Sequence, residues 1–185
     1  MINRLVSGSS DGASLVTQFN KLADSANTSL NLSSNVSIAI GTTPAAIAFN
    51  MEDKPHITGS LITHDPVTNN SRLVLTGACT VVLTIQPQVT HLTTGTGDVT
   101  FWIRKNGTTP IANTSAKYRT NGILSTQVLT IQAFIDCIAG DYIEVMCASS
   151  AASEYEMTAS LQSGTGATQI PLTPAIILTV DAKPV

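Results

Sequence analysis

The sequence predicts an all-β domain, an antiparallel sandwich or barrel, preceded by a short helix. Three observations carry this prediction. From residue 35 onward apolar and polar residues alternate over much of the 185-residue chain, the period of strands buried on one face. Turn residues recur between these runs at intervals of about 8–12 residues, the rhythm of a sandwich or barrel. Gly-, Pro- and Asn-rich connections stand where the crossover helices of a parallel sheet would have to lie.

The elements follow in order. Ser9, Ser10 or Asp11 caps a helix whose apolar residues Leu15, Val16, Phe19, Leu22, Ala23 and Ala26 recur at spacings of three and four. A lone helix of about four turns is marginal in water and must pack against something. It either covers an open end of the β domain or docks onto a partner, and Leu15, Val16, Phe19 and Leu22 are the candidate contacts. A polar spacer over Asn27–Ser34 precedes Val36, Ile38 and Ile40, which alternate with polar or small residues. Strands are predicted over Ala45–Phe49, Ile57–Ile62 and Arg72–Leu75, then along Cys79, Val81, Leu83 and Ile85 to an end near Pro87. Val99, Phe101 and Ile103 share one face of the next strand and Trp102 takes the other. Asn106-Gly107 is a hairpin turn leading into Ile111–Tyr118. Val128–Ile138, Tyr142–Ala148, the alternation Met157, Ala159, Leu161 and a last strand Ala175–Val180 complete the set. Residues 1–34 thus form a helical anchor and linker, and residues 35–185 form the β domain.

Composition narrows the function classes. Charged residues are 11% of the chain against 43% hydrophobic, where soluble domains carry about 25% charged. The deficit is filled by uncharged polar groups, a surface suited to packing among neighbours because net charge is what keeps monomers apart. The net charge of −3, with Arg104-Lys105 the one adjacent basic pair, leaves no footprint for nucleic acid. No apolar run approaches the ~20 residues that span a bilayer, and Met1–Val6 runs into Ser and Gly rather than a signal-peptide core. Cys79, Cys137 and Cys147 lack metal-type spacing, and their odd number argues for buried free thiols over a complete disulfide framework. Sequons such as Asn106-Gly107-Thr108 are expected by chance in so Thr-, Ser- and Asn-rich a chain.

Catalytic and metal-binding patterns are sparse. His56, His64 and His91 are dispersed, without a partner histidine at i+2 or i+4, whereas metal sites need several ligands to converge. Thr94-Gly95-Thr96-Gly97 and Ser163-Gly164-Thr165-Gly166 lack the lysine and helix of a phosphate loop and read as flexible turns. Glu154 and Glu156 flank Tyr155 at a spacing of two, where they either hold calcium or a sugar hydroxyl or line a solvated strand edge. The expectation is a structural or binding protein, not an enzyme, with no cofactor and no metal. Aromatics are 4% of the chain, and Phe101, Trp102, Phe134 and Tyr142 are candidates for packing in the core or in a subunit interface.

Four segments, in order, resemble a known family. Ser71-Arg72-Leu73-Val74-Leu75-Thr76-Gly77-Ala78-Cys79-Thr80-Val81 is similar to the strand–Gly–strand pattern of jelly rolls related to complement and tumour-necrosis-factor domains, with Cys79 in place of an aromatic residue. Asp98-Val99-Thr100-Phe101-Trp102-Ile103-Arg104-Lys105-Asn106-Gly107-Thr108 followed by Ile111–Ser115 resembles a hairpin of jelly-roll virion proteins from tailed phages and marine viruses. Ala139-Gly140-Asp141-Tyr142-Ile143-Glu144-Val145 is similar to their turn, and Pro174–Val180 to their closing strand. The resemblance spans about residues 35–181.

It implies an antiparallel jelly-roll sandwich of the tumour-necrosis-factor type with about 8–10 strands, assembled as a homotrimer. The implied role is a capsid decoration, cement or head-fibre knob in the virion, binding the major capsid protein or a fibre base. The alternative is a receptor-binding tip that recognises a host glycan or surface protein, through loops at His91–Gly97 and Ser149–Glu156. Neither reading calls for nucleic acid or a membrane.

Overall fold

The computed structural model describes residues 29–53, 61–119, 122–160 and 172–185, and among these every regular element is a strand. The predicted helix, with Leu15, Val16, Phe19 and Leu22, lies outside the described residues, as do Ile57 of the third predicted strand and Leu161 of a later one.

Two antiparallel sheets form. The first contains β1 (Ser29–Ser34), β2 (Ile38–Ile40), β4 (Met51–Asp53), β7 (Cys79–His91), β11 (Thr126–Val128), β12 (Ile131–Cys137), β14 (Tyr155–Met157) and β15 (Ile176–Pro184). The second contains β3 (Ala45–Ala46), β5 (Ile62–His64), β6 (Leu73–Leu75), β8 (Val99–Lys105), β9 (Thr109–Pro110), β10 (Ala116–Tyr118) and β13 (Tyr142–Ser149). The orders are β2-β14-β7-β15-β1-β4, with β11 and β12 also on β7, and β10-β8-β13-β6-β5, with β3 on β13 and β9 on β8.

Strict alternation in β7 explains why this strand is central. Cys79, Val81, Leu83, Ile85 and Val89 point inward and are fully buried, while Thr80, Val82, Thr84, Gln86 and Gln88 face out. Registers align inward residues into rows across strands, as in Leu30–Val180–Leu83–Ala133. Leu73 and Leu75, Phe101 and Ile103, and Ile143 and Val145 from the second sheet close the same core. Each fully buried Leu, Ile or Phe contributes about 1.5–3 kcal/mol of transfer free energy.

Several predicted elements differ from those observed. Ser29–Ser34 is a strand rather than a spacer, with Leu30 and Leu32 buried and both neighbours, β15 and β4, paired to it. Alternation of Leu with Ser and Asn is visible there, but its polar flanks concealed it. The long strand runs through Pro87 to His91. Proline has no N–H, and a residue's N–H and C=O face the same neighbouring strand. The Pro87 carbonyl accepts from Leu129 N at 3.1 Å, so its missing donor faces 129–130. The ladder breaks there, splitting the single strand predicted over Val128–Ile138 into β11 and β12. Ile111–Tyr118 is interrupted too, because the Thr114 hydroxyl donates to Ile111 O (2.8 Å) and accepts Ile103 N–H (3.1 Å). The Asn106-Gly107 turn forms as predicted, with positive φ at both residues (53° and 72°).

Candidate interaction surface

The outer face of the first sheet comes from the second set of each alternation. Asn31–Thr179–Thr84–Gln132 forms one outward row, and Asp181–Val82–Phe134 another. Phe134 is 72% exposed and Ile177 is 37% exposed. Ser33 and Gln86 flank Ile177, Thr84 and Gln132 lie beside Phe134, and Gln132 Nε2 donates to Thr84 Oγ1 at 3.4 Å. Charges gather at one end of the face, where Asp136 accepts the Thr80 hydroxyl at 2.7 Å and Lys183 is exposed. Asn31, Leu32, Ser33, Pro174, Ile177 and Thr179 line a groove on this face. An exposed phenylalanine amid threonines makes this face a candidate association surface, since burying an aromatic ring removes 150–250 Å² from water.

The outer face of the second sheet sets an ion-pair cluster beside Trp102, Tyr142, Val74 and Met146. Glu144 is 4% exposed and accepts Arg104 Nε at 2.9 Å and Nη2 at 2.8 Å, with Arg72 Nε 3.6 Å away. The Arg72 guanidinium lies 4.5 Å over the Tyr142 ring, a cation–π contact. At the adjoining turn Asp141 accepts from Ile138 N (3.0 Å), Asn106 Nδ2 (2.8 Å) and Lys105 Nζ (2.6 Å). The Ile138 N–H first, then Lys105 and Asn106, hold its carboxyl down at about 2. This carboxylate ties the 138–141 turn to the 105–107 hairpin, so two of the segments carrying the family resemblance are one hydrogen-bonded unit.

One end of the sandwich brings together the two loops proposed from sequence for ligand binding. Glu154 accepts Gly97 N at 2.7 Å, and its carbonyl accepts Leu92 N at 2.7 Å. Asp98 N donates to Ser150 Oγ (2.7 Å), Ser150 N to Asp98 O (2.8 Å), and the Tyr155 hydroxyl to Gly97 O (2.7 Å). A Cβ on Gly95 or Gly97 would strike the Glu154 carboxylate. The Gly95–Gly97 turn is therefore clamped, in contrast to the flexible turn expected. Asp98 is held below the usual carboxylate range by Arg119 at 2.6 Å and, more weakly, by Lys117 at 3.7 Å. Below this, His91 is buried and stacks on Tyr155, ring centroids 4.8 Å apart. Glu154 and Glu156 diverge: Glu156 accepts the Thr158 hydroxyl at 3.0 Å. Among the described residues no three His, Cys, Asp or Glu side chains converge as metal ligands would.

The four candidate aromatic residues occupy three environments. Phe101 is in the core, Trp102 and Tyr142 are half-buried on the outer face of the second sheet, and Phe134 stands on the outer face of the first. Sequence reasoning grouped them by residue type, missed the pairing of Glu144 with Arg104 and Arg72, and singled out Glu154 without its role as the clamp on Gly97. The signal for Glu144 was its place in the apolar run Tyr142–Ala148, where a carboxylate needs a cationic partner.

No protein-family model matches the chain, and no curated protein matches it. Solved structures do. The globular domain of a zebrafish complement 1qA protein superposes with a TM-score of 0.51 at 6% identity, covering 83% of this chain and 94% of that one. Eiger, a tumour-necrosis-factor protein of S. frugiperda, superposes with a TM-score of 0.47 at 9% identity, covering 85% and 94%. Two antiparallel sheets in this order, together with the complement-domain likeness, give the chain a jelly-roll fold of the type of the complement globular domain.

Proposed function

We propose that this chain is a homotrimeric jelly-roll knob of a virion, a decoration, cement or head-fibre protein that acts by binding other virion proteins rather than by catalysis. The observation that carries the assembly is Phe134, 72% exposed on a sheet face of mostly uncharged side chains, with Asp136, Asp181 and Lys183 toward one end. Three copies around an axis would cover it, and burying each ring is worth about 1.5–3 kcal/mol. The virion setting rests on the three ordered segments, Asp98–Ser115, Ala139–Val145 and Pro174–Val180, that resemble phage and marine-virus jelly rolls.

Light scattering on the purified chain tests the assembly. The expected mass is that of a trimer, and Phe134→Asp should shift it to monomer with an unchanged β-type circular dichroism spectrum. A wild-type monomer at high micromolar concentration overturns the reading. For the virion setting, a chain lacking residues 1–28 keeps β1 whole and should still fold, but should be missing from purified particles. Incorporation at normal occupancy would show that the N-terminal segment is no anchor.

A second reading, a receptor-binding tip, draws on the clamped pair of loops around Gly97 and Ser150, a preorganised surface of the kind recognition favours. Absence of signal on glycan arrays and host-cell binding removes it.

A further inference from the structure

Cys79 and Cys137 lie directly opposite each other in the β7–β12 ladder, and both side chains are buried on the inward face, at 0% and 4% exposure. Opposed residues of an antiparallel pair have Cα atoms about 4.5 or 5.5 Å apart, depending on whether they share hydrogen bonds. Both values fall inside the roughly 4.4–6.8 Å window of disulfides. Cys147 sits on the facing sheet, about 10 Å away across the core, outside that window. We propose that Cys79 and Cys137 are a redox-responsive pair whose disulfide staples β12, the strand carrying Phe134, to the central strand.

The chemistry is thiol–disulfide exchange with a small-molecule disulfide as oxidant. One cysteine thiolate attacks the external disulfide, giving a mixed disulfide and releasing one small thiol. The other cysteine then attacks the protein-bound sulfur and releases the second. One protein S–S bond forms, one external S–S bond breaks, and the two thiol protons and two electrons end on the released thiols. Burial, ahead of every other influence, raises the Cys137 thiol to about 11 and pushes Cys79 up as well. Both are therefore slow nucleophiles in the closed fold, and exchange proceeds while β12 is detached, during folding or fraying. Among the described strands β12 pairs only with β7, so one ladder has to open.

The test refolds the reduced full-length chain in a glutathione buffer containing the oxidised form, and isolates the folded fraction by gel filtration. Remaining thiols are alkylated after unfolding, and unreduced peptides are read by mass spectrometry. Expected is the loss of two of the three thiols, one linked peptide pair lighter by two hydrogen atoms joining Cys79 to Cys137, and alkylated Cys147. Cys147→Ala should form the same link, and Cys137→Ala should form none. The oxidised wild type should unfold at higher urea than the reduced. Three alkylatable thiols in the folded fraction, a link through Cys147, or an unchanged urea midpoint overturns the proposal.

Discussion

At the scale of single residues, buried charge shows where the fold depends on pairing. The Glu144 carboxylate is desolvated and holds two N–H groups of Arg104. Removing one partner of a buried, hydrogen-bonded charge costs more than the pair contributes, because the other group is left unmatched. Arg104 retains some solvent access, so Glu144→Ala should lower stability by about 1–3 kcal/mol in urea unfolding. Asp141 gives a pH signature. Its folded value of about 2 lies below the unfolded ~3.9. Its contribution is therefore whole above about pH 4 and is lost as pH falls toward 2. The urea midpoint should drop across that window in the wild type, and Asp141→Asn should lower the midpoint at neutral pH while flattening the drop.

At the scale of elements, β7 organises the molecule, because it pairs with β12 and β11 along one edge and β15 and β14 along the other. Leu83 stands fully buried at its middle, in a row with Val180 and Ala133. Leu83→Ala should cost about 2–5 kcal/mol, measured as a shift in denaturation midpoint with unchanged slope. The strand was readable from its alternation, yet its true end was not. Pro87 looks like a terminus in sequence, and only the partner strands show that its missing N–H faces a gap between β11 and β12. The segment Ser29–Ser34 was passed over because its short Leu alternation sits among polar residues, and pairing with β15 and β4 is what makes it a strand.

At the scale of the whole molecule, the distribution of charge separates the two sheets. The second sheet places its arginines, Glu144 and Asp141 in internal pairs, while the first offers Phe134, Ile177 and a field of Thr, Ser, Asn and Gln, with Asp136, Asp181 and Lys183 at one end. An assembly built on such a face is held by area and shape rather than ion pairs. The proposed trimer's dissociation constant should therefore change less than about threefold between low salt and about 0.5 M. Analytical ultracentrifugation at two ionic strengths measures this, and a steep salt dependence would point to the arginine-bearing face instead.

The sequence by itself determined the fold class, the central strand, the Asn106-Gly107 hairpin and the uncharged character of the surface, because period-two alternation and turn chemistry are local properties. Only the tertiary structure decided which aromatic residue is exposed, that Glu154 clamps the Gly95–Gly97 turn, and that Cys79 faces Cys137. Each of these depends on register between strands distant in sequence, and register is set by the joint packing of both sheets rather than by any one segment.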